Sequence, residues 1–485
     1  TNIPVRLQTP LNAHDSLHIR VKWHYEISLK SNREGMIDST TYFLAYFYPR
    51  VAVYDDYAGW DFMAFNEDLE FYNDFNDYTV SIQAPANYIV WGTGTFHNPD
   101  EVLQPSFAEK YKRSLTSDEL VHVADREDIA ARRVTRQGTN TWHFGASSVP
   151  DVAFAVSDHF VWDASSVIAD PQTGRRASVQ AAYNDTAADF HHMVSFGKHA
   201  ISWFSDPANW PGIPYPYEKS TIVQGYAGME YPMMVNDETY ADTAFSKFVA
   251  AHEIAHTYMP FYMGINETRY GFMDEGWATT FEFLINEQDM GRTQAENFYK
   301  QFRVMGWIYD NSDDEDLPII TPGPNLNGGG LGNNEYGKPS LGYLAVKDML
   351  GDALFRKALH AYMDRWHGKH PIPWDFFHTM NDASGTDLNW FWNNWFFSYY
   401  YIDLAIREVK GSEVIIDNIG GMAAPFDLQV TYHDGTTETI HQTSLIWKEN
   451  QKEAKIKLKK KPRSLHIQGG IFMDADERNN SWVKE

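Results

Sequence analysis

The chain has 485 residues, of which 43% are hydrophobic and 15% aromatic, which is enough apolar material for more than one domain. Its formal net charge of −25 argues against nucleic-acid binding, because a phosphate backbone requires a basic surface on its partner. The absence of cysteine excludes disulfides, thiol catalysis and thiolate metal ligands, and no apolar run is long enough to predict an integral membrane segment.

Residues 1–178 have the pattern of β structure. Strand-forming residues cluster at 78–82 and 153–156, and residues 17–29 alternate in part between apolar and polar side chains. Turns that contain Gly, Pro and polar residues separate these runs. We therefore predict an N-terminal β domain over residues 1–178.

From residue 179 to residue 405 the pattern becomes helical. Residues 242–259 predict one helix, because apolar residues recur at three- and four-residue steps and Pro260 would end it. This predicted helix contains the sequence His-Glu-Ile-Ala-His at residues 252–256. We predict a mainly helical central domain that holds every candidate catalytic residue.

The pair His252 and His256 is suited to bind a metal ion. Residues i and i+4 lie on one face of a helix, so both imidazoles can present a nitrogen to the same cation. Glu253 then stands where it can act as a base towards a water molecule whose pKa zinc lowers from about 15.7 towards about 7. Two packed or solvated helix histidines are the alternative at this stage, because the motif fixes only three positions.

A second helix is predicted to begin near Asp274, whose short carboxylate suits an N-cap, and to run through residue 282. Glu275 at its start is the natural third ligand, since a catalytic zinc site needs three protein ligands and an open fourth position. Glu282 lies seven residues further along the same face, where it can hydrogen-bond a ligand imidazole. An ordinary charged helix residue is the alternative interpretation of Glu282.

These residues resemble the aminopeptidase N family of gluzincin zinc metallopeptidases, which includes the leukotriene hydrolases. The family has a His-Glu-x-x-His helix and, eighteen residues later, a glutamate inside Asn-Glu-Gly. Here eighteen residues separate His256 from Glu275, and Asp274 replaces the usual asparagine. The resemblance implies one zinc ion per chain, and for the central domain a thermolysin-like fold.

Two further segments resemble family motifs. The segment GMEYP at residues 228–232 is similar to Gly-x-Met-Glu-Asn, which implies that Glu230 holds the free amino group of the substrate, although Tyr231 replaces the asparagine. The segment EYGKP at residues 335–339 is similar to Tyr-x-Lys-Gly, which implies that Tyr336 donates a hydrogen bond to the tetrahedral oxyanion. The family often adds a second acidic or amide group to the amine site, where this chain offers Tyr46.

Residues 311–334 predict a long irregular loop. They combine an acidic cluster at 313–316 with prolines and a glycine run at 328–330. Long loops in compact domains are often functional, so we interpret this one as a wall or lid of the cleft, with a solvated linker as the alternative.

After residue 405 the chain returns to β patterning. Strands are predicted at 414–416, 428–432 and 455–459, and His433-Asp434-Gly435 is a hairpin signal. We predict a small C-terminal β-sandwich over residues 406–485, with the lysines of the last strand on a solvated face. The predicted fold class is therefore α+β with several domains.

Together these features predict a zinc-dependent aminopeptidase that acts on peptides with a free N-terminus. The alternatives are an endopeptidase or an epoxide-type hydrolase on the same zinc site, or a catalytically inactive binding scaffold. We expect a processed or truncated form, because family members normally carry a larger first domain. The oligomeric state and the compartment stay open, with an extracytoplasmic location, periplasmic or secreted, favoured over a cytoplasmic one.

Overall fold

The computed structural model describes residues 2–29, 33–64, 66, 68–226, 228–310 and 316–484. The chain divides into two compact units, Thr1–Asp206 with Gly212–Thr257 and Pro207–Pro211 with Tyr258–Glu485. Strands dominate the N-terminal region, helices the middle and strands the C-terminal region, so the predicted multidomain α+β fold is confirmed. The predicted domain boundaries after residues 178 and 405 remain predictions.

The first unit is built mostly from strands. These are β1 (Gly35–Asp38), β2 (Thr41–Leu44), β3 (Tyr54–Asp55), β4 (Gly59–Trp60), β5 (Asn76–Pro85), β6 (Ile89–Gly92), β7 (Thr95–Phe96), β8 (Val121–Ala124), β9 (Thr139–Val149), β10 (Phe154–Ser157), β11 (Val161–Asp170), β12 (Arg175–Tyr183), β13 (Lys219–Gln224), β14 (Met229–Tyr231) and β15 (Met234–Asp237). Its helices are α1 (Pro99–Val102), α2 (Pro105–Ser114), α3 (Arg126–Ala130), α4 (Met193–Ser205) and α5 (Thr243–Ala255). The predicted strands at 78–82 and 153–156 correspond to β5 and β10.

A six-stranded sheet positions the candidate residues of this unit. Its order is β14-β15-β13-β12-β11-β8, with β13 parallel to both β12 and β15 and the other pairs antiparallel. Helix α4 lies close against β12, because a Cβ added at Gly197 would come within 2.8 Å of Val179 Cγ1. Helix α5 also packs against α4, which sets the predicted metal-binding helix beside this sheet.

The second unit begins with helices and ends with strands. The helices are α6 (Glu267–Tyr270), α7 (Glu275–Met290), α8 (Arg292–Tyr299), α9 (Met305–Ile308), α10 (Gly329–Gly332), α11 (Lys338–Leu350), α12 (Asp352–Trp366), α13 (Pro373–Ser384) and α14 (Asn389–Phe396), with π-helical turns at Lys300–Val304 and Asn333–Gly337. The strands are β16 (Leu404–Lys410), β17 (Glu413–Asn418), β18 (Phe426–Tyr432), β19 (Thr437–Gln442), β20 (Glu453–Lys457), β21 (Pro462–Gln468) and β22 (Ser481–Val483). None of the described helices in either unit is long and apolar enough to cross a membrane.

Aromatic side chains form the core of the helical part. Trp277 on α7 stacks on Tyr343 on α11, with ring centres 4.2 Å apart, and Phe376 on α13 packs edge-on against both rings. Trp392 and Trp395 on α14 are buried as well. Burial of aromatic side chains is a large apolar contribution, so this cluster fixes where α7 begins.

The C-terminal strands form two antiparallel sheets, β16-β17-β20 and β19-β18-β21-β22. Strand β18 alternates buried and less buried residues, as expected for a sheet with one face in the core. The predicted hairpin lies between β18 and β19, where the Gly435 amide donates to the Tyr432 carbonyl at 3.0 Å.

Three local predictions were wrong. Residues 17–29, all of them described, form no strand and lie largely exposed, because alternation alone supplies no hydrogen-bonding partner. Helix α5 ends at Ala255 instead of continuing to residue 259. The predicted irregular loop contains α10 and the start of a π-helical turn over its described part, while residues 311–315, with most of its acidic cluster, lie outside the described residues.

The contact between α7 and α11 leads to a stability prediction. A Cβ at Gly276 would come within 2.9 Å of the Pro339 ring, so Gly276→Ala should overpack this contact and lower the free energy of unfolding by about 1–3 kcal/mol. Chemical unfolding at equilibrium measures this loss. Gly332→Ala in α10 is the matched control, since nothing lies within 4 Å of the added methyl group. An unchanged unfolding free energy in Gly276→Ala would contradict the prediction.

Candidate active site

Helix α5 brings two imidazole nitrogens to one point. Asp242 caps the helix by accepting a hydrogen bond from the Ala244 amide at 2.9 Å. Further along the chain, the Nε2 atoms of the buried His252 and His256 lie 3.2 Å apart, with ring planes at 81°. Two nitrogen ligands of a tetrahedral zinc ion, each at about 2.0–2.1 Å, are separated by about 3.3 Å. The geometry of this pair therefore fits a shared zinc ion.

Two carboxylates of the first unit lie beside this pair. Glu230, Glu253 and His256 each offer one ligand atom within 4.8 Å of the others, and all three residues are buried. Glu230 reaches the position because β14 pairs with β15, opposite Val235. The chain before β14 passes against α5 without a side chain, since a Cβ at Gly228 would lie 2.4 Å from Glu253 Oε1. The glycine of the GMEYP segment is thus required for close packing on the predicted base.

A second acidic group lies near Glu230, and the sequence analysis missed it. Glu70 and Glu230 offer oxygen atoms within 4.8 Å of each other. Arg33 forms a half-buried ion pair with Glu70, and burial opposes the charge of Arg33 but the Glu70 carboxylate raises its pKa. Tyr46, the residue to which the sequence pointed, instead shares a hydrogen bond of 2.8 Å with Tyr231. No motif surrounds Glu70, so no sequence signal could have identified it.

Asp237 is a further buried carboxyl group that the sequence analysis missed. It lies at the end of β15 and is completely buried. Burial raises the pKa of Asp237 well above its usual range, and the nearby charge of Glu253 raises it further. Both effects disfavour the charged form of Asp237 beside the predicted base.

The second unit holds the remaining candidates at the start of α7. Glu275 is the first residue of this helix, where the helix dipole stabilises its negative charge. Asp274 occupies the predicted N-cap position, although its side chain makes no capping hydrogen bond to the described helix. The Tyr336 hydroxyl, on the π-helical turn Asn333–Gly337, donates a hydrogen bond of 2.6 Å to Glu275 Oε1. The predicted third ligand and the predicted oxyanion donor are thus in direct contact.

Glu282 has a buried partner that the sequence did not indicate. Arg303 donates from Nε and Nη2 to the two carboxylate oxygens of Glu282, at 2.7 and 2.6 Å. The same guanidinium lies over the Tyr336 ring, 4.9 Å from its centre. Arg303 is 21 residues from Glu282 along the chain, so only folding brings the two together. The second unit therefore gathers Glu275, Tyr336 and Glu282, and the first unit gathers His252, His256, Glu253 and Glu230.

Comparisons with known proteins give one matching family model and a similar fold. Residues 212–395 match the family model described as Peptidase family M1 domain. The fold is similar to the crystal structure of Legionella pneumophila aminopeptidase A in complex with aspartic acid, with a TM-score of 0.62 and 12% sequence identity over 90% of this chain. That match covers 47% of the Legionella chain, so this chain spans about half of its length. No curated protein sequence matches significantly.

The predicted resemblance to the aminopeptidase N family is confirmed by this match and this fold. Residues 212–395 thus resemble the domain of a metallopeptidase family, a class of hydrolase.

Asp237 leads to a prediction about pH. Folding raises the pKa of the Asp237 carboxyl group. As pH rises from about 4 towards the raised pKa, this group ionises in the unfolded chain but not in the folded one, so the free energy of unfolding falls. Asp237→Asn should remove this dependence, so its free energy of unfolding should fall less than that of the parent protein between pH 5 and pH 8. Chemical unfolding of zinc-free protein at both pH values measures the difference.

Asp189→Asn is the contrasting control. Burial acts to raise the pKa of Asp189. Hydrogen bonds from Thr239, Tyr240 and Ser246 to its carboxylate outweigh this effect, so the pKa of Asp189 is lowered. Its stabilisation is present above about pH 4 and is lost as pH falls through the lowered pKa, so Asp189→Asn should be less stable at neutral pH. A parallel fall in stability for Asp237→Asn and the parent protein would contradict a raised pKa of Asp237.

Proposed function

We propose that the chain is a zinc-dependent aminopeptidase that removes the N-terminal residue from peptides. The convergence of His252 Nε2 and His256 Nε2 within 3.2 Å is the observation that carries this proposal. The peptidase family M1 match over residues 212–395 supports it, because that range includes His252, His256, Glu253, Glu230, Glu275, Glu282 and Tyr336.

His252, His256 and Glu275 are the residues that would hold the ion. A His/His/Glu set has the composition of a catalytic zinc site with one open position. When bound, zinc would supply Lewis acidity, lowering the pKa of water and polarising a carbonyl group. Glu275 and both histidines are buried residues, and a bound cation would offset the cost of burying the charged carboxylate.

Glu253 is the proposed general base. Its carboxylate lies against the backbone at Gly228, which holds it in place while it accepts a proton from water. Tyr336 is the proposed oxyanion donor, and a neutral phenol can do this without ionising. One well-placed donor contributes about 3 kcal/mol of transition-state stabilisation. Glu282 is proposed to orient a ligand imidazole, with its own carboxylate fixed by Arg303.

Glu230 is the proposed anchor for the substrate ammonium group. Its buried carboxylate would pair strongly with an ammonium ion, and this pairing would place the first peptide bond at the base. Glu70, which pairs with Arg33, adds a second carboxylate close to Glu230. Peptides with a free N-terminus are thus the proposed substrates.

The requirement for a free N-terminus is the first test of this proposal. Fluorogenic aminoacyl amides should be cleaved, whereas the same compounds with acetylated N-termini should not, because acetylation removes the charge that Glu230 binds. Glu230→Gln should raise KM for the free substrates more than it lowers kcat. Equal cleavage of free and blocked substrates would favour an endopeptidase and contradict the aminopeptidase assignment.

The second test separates the base from the metal ligands. Glu253→Gln should keep one zinc ion per chain but lose about 10²–10⁴-fold in kcat, since only proton transfer is removed. His252→Ala should lose zinc together with activity. Metal content by elemental analysis and kcat by the amide assay give the two readouts. Full activity in Glu253→Gln would remove Glu253 from the mechanism, and wild-type protein that binds zinc but cleaves nothing would favour a binding scaffold.

A further inference from the structure

Arg303 contacts two of the candidate site residues, and neither matched motif contains it. Its guanidinium pairs with both oxygens of Glu282, and its Cζ atom lies 4.9 Å from the centre of the Tyr336 ring. The Arg303 side chain is 13% exposed and that of Glu282 is 2% exposed. A buried, doubly hydrogen-bonded guanidinium is held in one plane, so the ring that packs on it is held as well.

The backbone supports the same contact. Arg303 lies on the π-helical turn Lys300–Val304 and Tyr336 on the π-helical turn Asn333–Gly337. A Cβ at Gly337 would come within 1.9 Å of the Arg303 carbonyl oxygen, so the two turns touch through their backbones. Single π-helical turns interrupt α-helices at an energetic cost and are frequent at functional sites. The contact between these two π-helical turns places the Arg303 guanidinium beside the Tyr336 ring.

We propose that Arg303 is a positioning residue, which holds the Tyr336 ring so that its hydroxyl meets the developing oxyanion. The part of this inference that concerns catalysis rests on the proposed function, whereas the placement of Tyr336 does not. In the structure the Tyr336 hydroxyl donates a hydrogen bond of 2.6 Å to Glu275. This bond keeps the Tyr336 ring beside a proposed zinc ligand.

Arginine has the properties that this position needs. Its planar fork matches the carboxylate of Glu282 through two hydrogen bonds, and its face is attracted to an aromatic ring within about 6 Å. Burial opposes the charge, but Glu282 raises the pKa of Arg303, so the guanidinium remains charged. A lysine ammonium has the charge without the plane, so it can pair with Glu282 yet cannot fix the ring in the same way.

The proposal predicts a particular kinetic effect. Tyr336 would act on charge that develops in the transition state, so misplacing it should lower kcat and leave KM nearly unchanged. Arg303→Lys should therefore lower kcat by about tenfold or more, while Tyr336→Phe should lower it further. In a Tyr336→Phe background, Arg303→Lys should have little additional effect, because the group that it positions is absent.

Two further variants control for damage to the fold. Arg292→Lys is the matched control, because Arg292 also donates to a glutamate, Glu296, but is mostly exposed. The double variant Arg303→Met with Glu282→Gln removes the ion pair without leaving a buried charge unpaired. An equal loss of kcat from Arg303→Lys in the presence and absence of the Tyr336 hydroxyl would overturn the proposal.

A second readout does not depend on peptidase activity. Tyrosine labelled with ¹³C at Cζ gives one NMR signal for Tyr336, assigned by its loss in Tyr336→Phe. In the zinc-free full chain, this signal should shift or broaden in Arg303→Lys and in the double variant, but not in Arg292→Lys. An unchanged Tyr336 signal would overturn the proposal even if the wild type cleaves peptides. A wild type without peptidase activity would contradict the proposed function, and the NMR signal would still decide the positioning role.

Discussion

The separation of 3.2 Å between the Nε2 atoms of His252 and His256 is the constraint on which the candidate site depends. It follows from helical geometry, since residues four apart share a face, and from the burial of both rings. The surrounding chain is arranged to maintain it. Gly197 lets α4 approach the sheet, and Gly228 lets the chain pass against Glu253 without a side chain. Small residues therefore determine how closely the helices and the sheet can pack around the histidines.

Buried charge is the second physical theme of the structure. The first unit gathers the carboxyl groups of Glu70, Glu230, Glu253 and Asp237, and each needs a partner or a proton. Arg33 supplies a guanidinium to Glu70, and burial raises the pKa of Asp237, which favours its uncharged form. Glu230 and Glu253 add two further buried carboxylates to the first unit. A cationic metal ion and a substrate ammonium group are suited to that electrostatic environment.

In the second unit, an arginine is the partner of a buried carboxylate. Arg303 neutralises Glu282 and at the same time supports the ring of Tyr336, so one cation satisfies a carboxylate and fixes a phenol. The likeness to Legionella aminopeptidase A, at 12% identity, shows how far sequence can diverge while the fold is kept. Within such divergence, contacts of this kind have to be found in the structure of each chain.

The sequence by itself determined the elements that depend on local patterns. Helical spacing placed His252 and Glu253 on one helix with His256 directly after it, and an N-cap signal placed Glu275 at the start of another. The alternation of β18 and the turn residues after Tyr432 predicted a hairpin that the structure contains. Alternation at residues 17–29 failed, because a strand needs a partner that no local pattern supplies.

Only the tertiary structure decided the contacts between residues distant in sequence. Glu70 lies beside Glu230, and Arg303 joins Glu282 to Tyr336, across separations that periodicity cannot bridge. The physical reason is that side-chain patterns report the local backbone, whereas the pairing of buried charges is settled by how the elements pack. Motifs therefore predicted the candidate catalytic groups of this protein, and folding selected the residues that orient them.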